Sequence, residues 1–209
     1  MQQTPELWKA TYEAKTPEEL SRAYRNWARL YDRDTVETMG YVGPAVAAHM
    51  LDSHLESKES RVLDAGCGTG QVGQVLKGMG YARLEAMDYC EDMLCVAEEK
   101  DVYEKVFRCD MNQRLDIPDN HYDAIICVGT FTYAHVGPHA FGELTRITKP
   151  EGYVCFTIRD GAYQKYGYRK TMLDMEAEDA WELQAIREED YLIKEEVTAK
   201  YCAYKVLDA

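Results

Sequence analysis

Val62-Leu63-Asp64-Ala65-Gly66-Cys67-Gly68-Thr69-Gly70 is the most informative stretch of this 209-residue chain. Arg61 to Ala65 is a short apolar run of the kind that forms a buried strand, and it ends in glycines spaced by single residues. Val72, Val75, Leu76 and Met79 then recur at helical spacing. A strand, a glycine loop and a helix in that order leave free backbone N–H groups where glycine lets a ligand approach closely. A nucleotide-like cofactor is the natural occupant. A dinucleotide fingerprint requires G-x-G-x-x-G, but the residue at the third glycine's place is Gln71. The spacing is instead G-x-G-x-G preceded by Asp64, which weakens a nicotinamide reading.

Outward from the loop the same grammar repeats. Leu84 to Met87 reads as a strand ending at Asp88, 22 residues past Gly66. A carboxylate there can accept both hydroxyl protons of a ribose, a geometry common to dinucleotide and adenosyl cofactors; a turn or capping aspartate is the competing reading. A helix over about 91–99, a strand near 105–109, the apolar run Tyr122 to Val128, a helix over about 139–148 and the strand Tyr153 to Ile158 continue the alternation. Repeated βα units predict a parallel sheet with helices on both faces.

Upstream, Thr4-Pro5-Glu6 and Thr16-Pro17-Glu18-Glu19 are helix-start signals, and the second helix should begin near residue 17. Leu20, Tyr24, Trp27 and Tyr31 share one face of it, and a third stripe, Ala47, Met50, Leu51 and Leu55, follows Gly43-Pro44. After residue 160 the chain turns polar, tyrosine-rich and acidic with a helical reading, then closes with two β-like runs, Asp190 to Lys194 and Glu196 to Val206. One domain is expected, with N-terminal helices over 1–58, a cofactor-binding core over 60–160, and a late insert with closing strands over 161–209.

The chain carries 24 basic and 37 acidic side chains, a net charge of −13, with 46% hydrophobic residues. A core is affordable, but gripping a nucleic-acid backbone or an anionic membrane is disfavoured. The seven cysteines contain no C-x-x-C pair and read as reduced structural thiols; Cys90 and Cys95 lack the second pair that a zinc site needs. Met1 to Glu6 has no signal-peptide character and no run approaches the roughly 18 apolar residues of a membrane span, so a cytoplasmic protein is expected. Asp174 to Glu196 holds ten acidic and two basic residues. Read as a helical insert, it would favour a cationic substrate or be a solvated helix face.

Asp64-Ala65-Gly66-Cys67-Gly68-Thr69-Gly70 resembles motif I of the class I S-adenosylmethionine (SAM) dependent methyltransferases, an acidic residue followed by x-G-x-G-x-G. Cys109-Asp110-Met111, Tyr122-Asp123-Ala124-Ile125-Ile126 and Leu144 to Gly152 match later motifs, with Glu151 where the family's Lys-Pro-Gly-Gly turn has glycine. Trp27 to Asp34, Tyr41-x-x-Pro44 and Asp88 to Leu94 are most similar to the methyltransferase-like protein 27 group. The resemblance implies a Rossmann-like α/β fold, with a mostly parallel seven-stranded sheet, an antiparallel closing strand and an N-terminal helical lid. It assigns Gly66, Cys67 and Gly68 to backbone contact with SAM, Asp64 to indirect support of the methionine amino group, and Asp88 to the ribose. Tyr89 and Met111 would flank the adenine, Asp110 would meet its amino group, Met93 would add a cofactor contact, and Val128 would face the methionine end. Tyr31 stands where a lid tyrosine reaches the methionine carboxylate, whereas Trp27 on the same face reads as packing.

The implied reaction is metal-independent, in-line methyl transfer to N or O of a small molecule, leaving S-adenosylhomocysteine (SAH). Gly129 to Val136 leaves the fourth strand at the pocket mouth, making Tyr133 and His135 the candidates to orient or deprotonate an acceptor, although a neutral amine needs no base. Arg159, Asp160, Tyr163, Tyr166, Tyr168 and Trp181 fall in the insert that would close the acceptor pocket, where aromatic walls suit an amine or a flat ring and surface tyrosines are the bland alternative. Cys127 and Cys155 belong to the core. A SAM-binding module without catalysis and a nicotinamide-dependent oxidoreductase are the competing functions.

Overall fold

The structure, a computed structural model, describes residues 6–14, 16–132 and 136–208. Helix α1 (Glu6–Glu13) leads into α2 (Pro17–Asp32), which starts where the sequence places it. Thr16 is extended, its Oγ1 accepts the Glu19 N–H at 3.2 Å, and proline occupies the first turn, where its missing N–H costs nothing. Helix α2 then runs directly into a π-helical turn, Arg33–Met39, that the periodicity did not announce. Buried Trp27 explains part of it, since its Nε1 donates to Asp34 Oδ2 at 3.0 Å across the junction. Helix α3 (Gly43–Asp52) completes the N-terminal helices.

The βα alternation follows as β1 (Val62–Ala65), α4 (Gln71–Gly78), β2 (Leu84–Asp88), α5 (Glu91–Glu98), β3 (Lys105–Arg108), β4 (Tyr122–Phe131), α6 (Ala140–Ile147) and β5 (Thr148–Arg159). Two short helices, α7 (Ala162–Lys165) and α8 (Tyr168–Ala177), precede β6 (Trp181–Leu192) and β7 (Val197–Val206). The seven strands form one sheet in the order β3-β2-β1-β4-β5-β7-β6, parallel from β3 to β5 and antiparallel at β7 and β6. This is the expected Rossmann-like arrangement.

Strand β4 shows why a central parallel strand reads as one apolar run. Ile125 and Cys127 pack on one face with Phe131, Phe141, Phe156 and Trp181, while Ala124, Ile126 and Val128 pack on the other with Trp27, Leu51 and Tyr201. Cys127 and Cys155 lie in this core as expected. At the turn inside β5, Glu151 takes φ 66°, a left-handed conformation that explains why a glycine suits this position.

The closing region differs from the sequence reading. The acidic stretch is not one helical insert: α8 ends at Ala177 and residues 181–192 form edge strand β6, so the first closing strand begins nine residues before Asp190. Most of β6 is exposed, because β7 is the only strand paired along it among the described residues, with Tyr41 bridging to Leu192 at its end, and its outer positions carry glutamates instead of an apolar alternation. Exposed charges on an edge strand oppose pairing with other chains, and here they also hide its period-2 signal.

Candidate active site

The glycine loop closes the C-terminal end of β1. Gly66 N and Cys67 N donate to Met87 O at 2.8 and 3.0 Å, pinning the loop to β2. Gly66 has φ 75°, and a Cβ there would fall 2.3 Å from Thr130 Oγ1, so both conformation and space demand glycine. Asp88 holds the loop from the other side: its Oδ2 accepts Gly68 N–H at 2.9 Å and its Oδ1 accepts Cys90 N–H at 2.8 Å. Burial raises the Asp88 carboxyl above its ordinary value, partly offset by the backbone N–H groups of Cys90, Gly68 and Tyr89.

Asp64 points away from the loop's open side. It is 2% exposed, and its Oδ2 accepts the Tyr103 hydroxyl at 2.5 Å. Burial pushes the carboxyl up to about 7, with the Tyr103 bond opposing the rise. The loop's far end is tied to the N-terminal helices through Asp32, whose Oδ1 accepts from Thr69 Oγ1 at 2.5 Å and Gln71 Nε2 at 2.8 Å, while Lys100 Nζ reaches its Oδ2 at 2.5 Å. Gln71, which breaks the dinucleotide fingerprint, therefore acts as a tie to the end of α2.

These elements enclose a cavity of about 600 Å³ at the C-terminal ends of β1, β2 and β4, within the range of small-molecule sites. Gly66, Gly68, Asp88, Tyr89, Met93, Asp110, Met111 and Val128 line it, and α2 contributes Tyr31, Tyr24, Leu20 and Ser21. The Tyr89 ring is backed by the Arg108 guanidinium 5.0 Å from its centroid.

The methyltransferase domain family matches residues 63–156. Human methyltransferase-like protein 27 is 32% identical over 165 residues, covering 76% of this chain and 66% of that protein. The chain belongs to the class I SAM-dependent methyltransferases. The malonyl-[acyl-carrier protein] O-methyltransferase of Pectobacterium atrosepticum is 31% identical over 156 residues, covering 74% of this chain and 59% of the enzyme. The chain thus spans less than two thirds of the length of either relative. A SAM-dependent methyltransferase from Aquifex aeolicus shares the fold with a TM-score of 0.63 at 21% identity, over 87% of this chain and 98% of that one.

SAM is the cofactor of this methyltransferase family. The cleft suits it: Gly68 has open space where a side chain would stand, a carboxylate lines one wall, and Met93, Met111 and Val128 supply apolar surface. Of the residues expected at the cofactor, Asp64 and Cys67 do not line the cleft. Cys67 turns its side chain into the packing of Ala86, Leu94 and Ala97, and Asp64 turns toward Tyr103. Tyr133 and His135 lie outside the described residues. Their flanks are held by Tyr168, whose hydroxyl donates to Val136 O at 2.6 Å and lies 3.3 Å from Thr132 O.

Tyr166 and Tyr168 line the cleft, whereas Trp181 is core. Thr130 and Thr132 were missed, although they continue the two-residue period of Val128 along β4, which extends to Phe131. Cys109, the first residue of the Cys109-Asp110-Met111 motif, also lines the wall, as does Ser21, which nothing in its local sequence marks.

Proposed function

We propose that the chain is one methyltransferase domain that binds SAM in the 600 Å³ cleft and transfers its methyl group to N or O of a small molecule. The observation that carries this reading is the shared anchoring of Gly68 and Cys90 on Asp88, which sets the glycine loop and a cleft-lining carboxylate at adjacent strand ends. When bound, SAM supplies a methyl carbon already activated by its sulfonium.

The chain's own residues supply position. Asp88 accepts the ribose hydroxyls, Gly66 and Gly68 let the ligand approach the backbone, and Tyr89, Met93, Asp110 and Met111 form the adenine side. Tyr31 and Val128 bound the methionine end. Asp64 supports the loop from beneath through Tyr103 and α4. Holding acceptor and methyl group in line contributes about 7 to 11 kcal/mol toward the barrier in well-oriented systems. Tyr133 and His135 are proposed to orient the acceptor, with Tyr168 fixing the backbone on either side of them.

Calorimetric titration with SAM, SAH and NAD, followed by a methyl-release assay across amines, phenols and carboxylates, tests the reading. SAM and SAH binding with turnover on some acceptor is expected. NAD binding without SAM binding would overturn it, and SAM binding with no turnover would leave a ligand-binding module.

A further inference from the structure

A second cavity, of about 50 Å³, adjoins the cleft and shares Tyr24, Tyr31, Gly129 and Thr132 with it. Tyr41, Tyr191 and Arg159 join the lining from the segment before α3, the end of β6 and the end of β5, with Thr11 and Thr35 as its further hydroxyls. No Asp or Glu lines it among the described residues.

The chemistry of this lining is that of an anion receptor. Burial raises Tyr24, Tyr31, Tyr41 and Tyr191, so all four phenols keep their protons and can donate. The Tyr41 and Tyr191 hydroxyls are 3.0 Å apart, which engages one proton between them and leaves the other to point elsewhere. Arg159 is half-buried with its guanidinium 5.5 Å from the Trp8 ring centroid, and withdrawal from water weakens its hold on the proton. A guanidinium carries five N–H donors in a planar fork, and it can grip a carboxylate bidentately. Size points the same way. About 50 Å³ accommodates a carboxylate group, whereas benzene occupies an apolar cavity of roughly 150 Å³.

We propose that the methyl acceptor carries a carboxylate, seated in this small cavity by Arg159 and the surrounding phenols, so that Arg159 determines acceptor specificity. The proposal rests on the methyltransferase reading of the adjoining cleft. Its sign is opposite to the cationic acceptor that the acidic run 174–196 suggested.

The test is an NMR titration of the SAH-loaded protein with acetate and propionate against acetamide and propionamide, following the Arg159 Nε–Hε resonance. The carboxylates should move that resonance and bind at least tenfold tighter than the amides. Arg159→Met should abolish carboxylate binding with SAH affinity unchanged, and Arg159→Lys should retain part of it. In a methyl-release screen, acids should be preferred to their carboxamides, and Arg159→Met should erase that preference. Equal behaviour of acids and amides, the absence of any shift, or undiminished acetate binding in Arg159→Met would each overturn the proposal. A tenfold loss of SAH affinity in Arg159→Met would also overturn it, by moving Arg159 to the cofactor side. Failure of the wild type to bind SAH is a separate result that overturns the methyltransferase reading itself.

Discussion

Tyr103 donates its hydroxyl proton to Asp64 Oδ2 at 2.5 Å, and the same phenolic oxygen accepts the Gly73 backbone N–H at 3.1 Å. One side chain from the loop after α5 thus joins the acid of the glycine motif to the first turn of the helix that follows it. Gly73 makes this feasible, since a Cβ there would lie 2.2 Å from the Tyr103 ring.

Tyr103→Phe should therefore destabilise the protein. It removes the hydroxyl donor from a buried carboxyl whose Oδ1 has no partner among the described residues. Leaving a buried polar group unsatisfied costs about 1–3 kcal/mol, and urea denaturation should show a loss of that size. Unchanged stability would show that the bond contributes nothing net.

Asp64 should also leave a signature in the pH dependence of stability. Its carboxyl rises from 3.8 to about 7 on folding, chiefly through burial, so the folded state holds the proton more tightly than the unfolded chain. The sign follows from linkage: stability falls as pH rises through that window, and the loss is complete above the folded value. Asp64→Asn cannot ionise. Wild type should therefore lose stability relative to Asp64→Asn between about pH 4 and pH 7, with a slope of at most about 1.4 kcal/mol per pH unit. A flat difference would sink this assignment.

Asp88→Asn should weaken SAH at least tenfold, about 1.4 kcal/mol, as read by calorimetry. The substitution removes the charge from a group proposed to accept ribose hydroxyls, and its amide can no longer accept on both sides from Gly68 and Cys90. Circular dichroism and the melting temperature separate a folding defect from a binding one. Undiminished affinity in a folded variant would remove the ribose role.

Asp32→Ala should loosen the N-terminal helices. Burial alone would raise this carboxyl, but hydrogen bonds from Lys100, Thr69 and Gln71 outweigh it and hold it below its ordinary value. Without them the end of α2 loses its ties to Thr69, Gln71 and Lys100, while Arg25–Asp92 and Arg29–Glu99 still join α2 to α5 and the residue after it. Limited proteolysis should cut residues 16–40 faster in the variant, with SAH restoring part of the protection. Equal cleavage rates would show that the Asp32 bonds do not hold the helices in place.

The sheet was legible in outline because its strands announce themselves locally. Buried on both faces, β1 and β4 read as continuous apolar runs, and the Thr16-Pro17 start of α2 is a capping signal contained in a few residues. Strand β6 was not legible in the same way. With one strand paired along its length among the described residues and a largely exposed surface, its glutamates obey no apolar period and resemble a helical surface. The π-helical turn has no periodic signature either, and it is stabilised in part by the tertiary bond between Trp27 and Asp34.

By itself the sequence determined the glycine loop, the acid at the end of β2 and the order of the βα units, since each depends on backbone conformation or burial pattern encoded within a few neighbouring residues. Only the tertiary structure decided that Asp64 turns to Tyr103, that Gln71 ties down Asp32, and that Arg159 meets Tyr31, Tyr41 and Tyr191 around one small cavity. Those groups are brought together by packing across the sheet's C-terminal edge, and no local pattern in the chain records which distant side chains that edge will gather.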